Sequence, residues 1–274
     1  MEADKVRPIG MRNPFIKSIH REVIRQNKSV IQEYLEPQQL GTSVADAAKL
    51  VHSVRMMMEE NPDFVLIKID FRNAFNEMAR ARVIEACEEN ESLKHLAMFV
   101  GAILAPVSDL ESAGVIWGEA EEGVTQGDPT SSPLFCIALQ KYLVEGDRKL
   151  SEHGGMVRAG MDDAYILGPP HVSFPVLENL KKDCKIHCGL ELQMTKTEIY
   201  TKSGEQPADT PVGLIRAGQD LNGTFESGFV CYGIPVGTDN YVDFMLNCKL
   251  DEIQNDIKLF RKHYQKIVRL CGQC

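Results

Sequence analysis

Asp162 and Asp163 stand side by side inside an apolar run, Met156-Val-Arg-Ala-Gly-Met-Asp-Asp-Ala-Tyr-Ile-Leu167. Ionised carboxylates beside apolar residues are costly unless they are paired or hold a metal. Successive strand residues face opposite ways, so two acids on one flat strand could not share a ligand. At the tip of a hairpin they can. The run reads as two short buried strands joined by a turn that carries the acids. Asp is also common in turns for its local hydrogen bonds, so the pair alone fits either a metal site or a plain turn.

Asp70 supplies a third carboxylate. It ends Phe64-Val-Leu-Ile-Lys-Ile-Asp70, seven residues rich in β-branched and aromatic side chains that read as a strand. If the two strands are neighbours, three carboxylates meet at one edge of a sheet. Such a set suits Mg²⁺, which takes a few carboxylates and fills its remaining octahedral positions with water and phosphate oxygens. Two such ions about 3.5–4 Å apart clamp the attacking and leaving oxygens of a phosphoryl displacement. Between Asp70 and Asp162 lies Glu122-Gly-Val-Thr-Gln126-Gly127-Asp-Pro129, a Gly-marked loop leading into a helix from Thr130. A helix start offers amides to anions and sugars. A capped helix N-terminus accounts for the same residues.

The surrounding pattern must position these groups. Apolar spacing predicts an amphipathic helix over 14–35 and another behind Ser43 and Asp46, with Val44, Ala47, Val51, Val54 and Met58 as its stripe, ended by Asn61-Pro62. Two helices are expected over 77–90 and 92–107, and a short strand at Val115–Trp117. Further helices are expected over 130–150 and 174–188, then a partly extended stretch over 190–201, a hairpin or strand over 224–236 and a long helix over 241–270. The elements alternate without regular βαβ spacing, so the fold class expected is α+β, an antiparallel sheet packed on helices.

The chain has 274 residues, 43% hydrophobic and 25% charged, an ordinary globular composition. Its longest apolar run, His95 to Val107, is too short and too mixed to cross a bilayer. Glu2, Asp4, Lys5 and Arg7 leave no apolar core for a secretory signal, so an intracellular protein, nuclear or cytoplasmic, is expected. A net charge of −9 argues against non-specific coating of nucleic acid. The charge is uneven, however. Residues 1–30 hold seven Lys/Arg against three acids, and residues 258–274 hold five against none. Residues 59–122 hold fourteen acids against five bases. The ends can touch phosphates where the middle cannot, although solvated helix faces explain the same pattern. Of eight cysteines, Cys184 and Cys188 flank His187, and Cys271 and Cys274 form a second cluster. Neither cluster supplies four zinc ligands alone, and reduced thiols are the expected state.

Taken in order, these pieces resemble the fingers and palm of a reverse transcriptase, most closely that of non-LTR (LINE-like) retrotransposons. Arg7-Pro8-Ile9-Gly10 resembles the fingers signature. Asp70 through Asn76, with Ala74-Phe75, resembles the first palm motif. Gln126-Gly127-Asp128-Pro129 resembles the second, Met161-Asp162-Asp163 the third, and Thr195-Lys196-Thr197 the fourth. Tyr232-Gly233-Ile234-Pro235 resembles the segment leading to the primer grip. The likeness runs from about residue 6 to residue 245.

The resemblance implies an RNA-directed DNA polymerase that adds dNTPs to a DNA primer on an RNA template, with two Mg²⁺ ions or Mn²⁺ in their place. Asp70 and Asp162 would ligate both ions, with Asp163 and the carbonyl of Phe71 as further ligands. Arg7 would meet the triphosphate, Gln126 and Gly127 would border the sugar and template base, and Lys196 would act as general acid on the pyrophosphate. Phe75 would crowd a ribose 2′-hydroxyl, which disfavours an RNA-copying RNA polymerase, where a polar acid usually stands. The resemblance also implies partial fingers over 1–62, a palm over 63–240 with a helical fingers insertion between the first two motifs, and the start of a thumb over 241–274. On this reading the chain is a piece of a longer polyprotein or the product of a decaying element, and an inactive palm-fold remnant is the alternative. One departure stands inside a motif: the aromatic residue usual two places before the first Asp of the pair is Gly160 here.

Overall fold

The computed structural model describes residues 13–40, 46–112 and 114–271. Arg7 and its signature, Ser43 and Cys274 lie outside them. Two helices come first, α1 (Pro14–Gln26) and α2 (Lys28–Leu35), where the apolar spacing predicted one. The break falls at Asn27, whose side-chain and backbone N–H groups both donate to the Val23 carbonyl and close the end of α1. Helix α3 (Asp46–Glu60) follows, stopped by Asn61-Pro62, and leads into strand β1 (Val65–Ile69). The next elements are α4 (Ala74–Glu77), α5 (Arg80–Glu89), α6 (Lys94–Leu104) and the hairpin β2 (Ser108–Ser112)–β3 (Val115–Ala120). Helix α7 (Ser131–Ser151) leads to the hairpin β4 (Met156–Gly160)–β5 (Asp163–Gly168), and α8 (Pro170–Cys188) to β6 (Glu198–Thr201). The chain continues through β7 (Ile215–Arg216), β8 (Gly218–Leu221), β9 (Thr224–Cys231), β10 (Ile234–Gly237) and α9 (Asp239–Cys271).

The central sheet has the order β4-β5-β1-β6-β7 and is antiparallel except for the short β6–β7 pair. Period-two burial splits its side chains between two cores. Val65, Ile67, Ile69, Val157, Ala159, Ala164 and Ile166 face the larger core, with α5, α7 and α8. Leu66, Met156, Tyr165, Leu167 and Tyr200 face the smaller one, with α3 and the second sheet, β10-β9-β8. Burial on both faces explains why these strands read as nearly continuous apolar runs. The α+β class is as expected: an antiparallel sheet on helices.

The strands β7 and β8 carry exposed or half-buried residues and gave no periodic signal. Among the described residues, no helix is long and apolar enough to cross a membrane.

Candidate active site

The acids sit where strand pairing puts them. β4 and β5 are joined by the two-residue turn Met161-Asp162, with Gly160 paired to Asp163 across it. Met161 takes a φ of 63°, the left-handed value that primed hairpin turns require at their first position. β1 lies beside β5 with Ile69 opposite Ala164, so Asp70, the next residue, emerges at the same sheet end as Asp162 and Asp163.

Asp163 feels the other two acids. Burial, then the charges of Asp162 and Asp70, push the Asp163 carboxyl above the usual aspartate range against the pull of Lys68. Among the described residues, however, no three His, Cys, Asp or Glu side chains stand close enough to hold a metal ion between them. The aspartates share an edge and a field without meeting at one point. Their chemistry still fits a hard divalent cation, whose charge would remove the repulsion on Asp163.

Each neighbouring motif is tied to this edge by main-chain bonds. Gln193 N–H donates to the Asp70 carbonyl (2.8 Å), and the Thr197 hydroxyl donates to the Gln193 carbonyl (3.0 Å) while facing the Asp70 amide. Lys196 lies exposed on the turn between those two residues. Phe71 is buried and bridges to Leu192; the bonds of that bridge use the Asp70 carbonyl and the Arg72 amide, not the Phe71 carbonyl.

The Gln126-Gly127 pair forms the corner of a turn closed by Asp128 N–H to the Thr125 carbonyl (3.1 Å), with Gly127 at φ 92°. A type II turn needs a positive φ at that position, which is why glycine stands there. Val124 N–H donates to the Phe75 carbonyl (2.7 Å) and Gly123 N–H to that of Met78 (2.9 Å), so the second motif is fastened to the first. The Phe75 ring stacks on Phe135 of α7, 4.8 Å between centroids, and is only partly buried. Phe75 therefore packs on the core and keeps part of its surface exposed.

Four residues around the site were missed by sequence reasoning. His20 of α1 is buried, with Nδ1 2.9 Å from an Asp128 carboxylate oxygen. Burial alone would raise the Asp128 pKa, but bonds from the Thr130 hydroxyl and amide and from His20 hold it below the usual value. Gln39, fully buried, accepts from Met161 N–H (3.2 Å), while Gln38 and Leu40 pair with Ala159 and brace β4 from its free side. Thr197 is the third. Tyr232, in the β9–β10 turn, lies against Gly160. Thr197 and Tyr232 had a signal, their places in the fourth motif and in the segment resembling the approach to the primer grip; His20 and Gln39 join the site from elements distant in sequence. Of the cysteines, Cys184 and Cys188 are buried one turn apart in α8, and burial lifts the Cys136 thiol to about 12.

No family model matches the chain, and no curated protein is similar enough to be matched. Solved structures do match it. Apo telomerase of Candida tropicalis truncated from its C-terminal domain aligns with a TM-score of 0.51 at 14% identity, over 84% of this chain and 49% of that one. Apo telomerase of the same organism aligns with a TM-score of 0.51 at 10% identity, over 81% of this chain and 38% of that one. The chain thus spans less than half the length of the structures it matches. Identities this low speak for fold alone: over more than four-fifths of its length the chain shares the fold of these telomerase structures.

Proposed function

We propose that the chain is the fingers-and-palm part of an RNA-directed DNA polymerase of non-LTR retroelement type, extending a DNA primer on an RNA template with dNTPs. The observation that carries this reading is the pairing of β1 with β5, which brings Asp70, Asp162 and Asp163 to one sheet end. Asp70 and Asp162 are the residues to hold two Mg²⁺ ions, with Asp163 behind them. Bound there, the ions would lower the pKa of a primer hydroxyl and neutralise charge on the triphosphate.

The chain's own groups do the rest. Gln126 and Gly127, on the loop fastened to Phe75 through Val124, would border the sugar and template base, and Phe75 would crowd a ribose 2′-hydroxyl. Lys196, exposed on the turn fixed to Asp70, would on this reading give a proton to departing pyrophosphate. Arg7 is proposed for the triphosphate from the resemblance alone. Template, primer and further parts of a longer polyprotein are the partners this reading requires.

Primer extension on an RNA template with Mg²⁺ and dNTPs tests it, run beside Asp70→Ala and Asp162→Ala. The expected outcome is extension by the parent and none by either variant, with the unfolding midpoints unchanged or raised. Extension by Asp162→Ala at the parental rate would remove the metal assignment. A folded parent that extends nothing would favour a palm-fold remnant.

A further inference from the structure

Tyr232 occupies the space that a side chain at position 160 would need. A Cβ built on Gly160 would overlap the hydroxyl oxygen and ring carbons of Tyr232, so no residue but glycine fits there while the tyrosine is in place. Gly160 is the position at which the third motif departs from its usual aromatic. An aromatic ring is present at that place after all, delivered from seventy-two residues further along the chain.

The turn that delivers it is costly for tyrosine. Tyr232 and Gly233 are the two turn residues between β9 and β10, with φ values of 49° and 79°. Both positive angles belong to a type I′ turn, whose first position favours Asn, Asp or Gly. A bulky residue at positive φ is a rare and strained choice. The Tyr232 hydroxyl is also buried with no hydrogen-bond partner. Neither turn propensity nor hydrogen bonding accounts for tyrosine here; the fit against Gly160 does. Burial, then the charges of Asp163, Cys231, Cys136 and Asp162, holds the phenol well above its ordinary pKa, which sets it in the field of the paired acids as a neutral group.

We propose that Tyr232 is a positioning residue for the paired acids, wedged behind Gly160 so that the Met161-Asp162 turn keeps the geometry in which Asp162 and Asp163 take a divalent cation. Gln39 holds the same turn from the other side through Met161 N–H. This rests on the polymerase reading for its use, but not for its test.

The test has two readouts on the full chain. The first is thermal unfolding of Gly160→Ala, Tyr232→Ala and the double variant. Gly160→Ala alone should lower the midpoint by about 2–10 °C through overpacking. In the Tyr232→Ala background the added methyl finds vacated space and should cost less than half as much. Equal costs in both backgrounds would overturn the wedge.

The second readout is binding of Mn²⁺ alone, followed by electron paramagnetic resonance. Tyr232→Ala should weaken binding about 10–100-fold, as loss of a supporting residue does. Tyr232→Phe should restore it to within about twofold, since the ring and not the hydroxyl fills the gap. Parental Mn²⁺ affinity in a folded Tyr232→Ala, or no Mn²⁺ binding by the folded parent, would overturn the positioning role. Intact Mn²⁺ binding with no primer extension by the parent would count against the polymerase reading alone.

Discussion

The sheet β10-β9-β8 has two hairpin turns, and they obey different rules. Asn222-Gly223 joins β8 to β9 with φ values of 55° and 84°; Tyr232-Gly233 joins β9 to β10 with 49° and 79°. The backbones are nearly alike. The first uses the pair that a type I′ turn favours, is exposed, and is closed by Asp220 Oδ1 accepting from Gly223 N–H (3.0 Å). The second puts an aromatic residue at the same strained position and pushes it under the acid-bearing turn of the neighbouring sheet. A local rule broken at one of two equivalent places marks where tertiary demand outweighs turn propensity.

The largest effect should come from making the turns alike. Tyr232→Asn gives the second hairpin the residue its backbone favours, yet it empties the space behind Gly160. We expect a net loss of about 1–3 kcal/mol, read by chemical denaturation, because deleting a partly buried aromatic packed against Gly160 outweighs the relief of one strained φ. A more stable variant would mean that the turn governs and the packing does not, and the comparison would fail.

A smaller loss should follow at the other hairpin. Asn222→Ala replaces a residue that tolerates positive φ by one that does not and should cost about 1 kcal/mol. It should leave Mn²⁺ affinity and primer extension unchanged, because this turn is exposed and it is the other hairpin that packs against Gly160. A fall in either would show that the whole small sheet, rather than Tyr232, supports the site.

The smallest shift concerns the charge that the second hairpin faces. The folded state raises the Asp163 pKa, so its contribution to stability is fully present below the unfolded value of about 3.9 and is lost as pH rises through the folded value. Asp163→Asn should therefore raise the unfolding midpoint at pH 7, and the gain should vanish near pH 3.5. Mn²⁺ should raise the parent's midpoint at pH 7 and do less for the variant. A midpoint lowered by Asp163→Asn at pH 7 would show that its charge already has a partner.

The acids were legible because their chemistry is local. An apolar run ending in Asp, and two acids inside an apolar run, are visible without any knowledge of neighbours, and the hairpin over 156–167 follows from the same pattern. The fastening of the second motif to the first, through Val124 N–H and the Phe75 carbonyl, has no such signal, since any residue but proline can donate from its backbone. His20 is the same kind of case: a lone histidine on an amphipathic helix, a hundred and eight residues from the aspartate it meets. The long helix α9 was read from its period, yet Leu246, Leu250, Ile253, Ile257 and Phe260 along it are exposed. Periodicity reports a helix face and not what covers it.

By itself the sequence determined the elements with strong periods, the α+β class, the order of the motifs and which three carboxylates could work together. Period and residue type are properties of neighbours along the chain, so they survive in one dimension. The adjacency of β1 and β5, the closing of Gln39 and Tyr232 on the acid turn from two sides, and the filling of the space at Gly160 all came from the packed chain. Those facts depend on which surfaces meet. A glycine carries no record of the ring that lies against it.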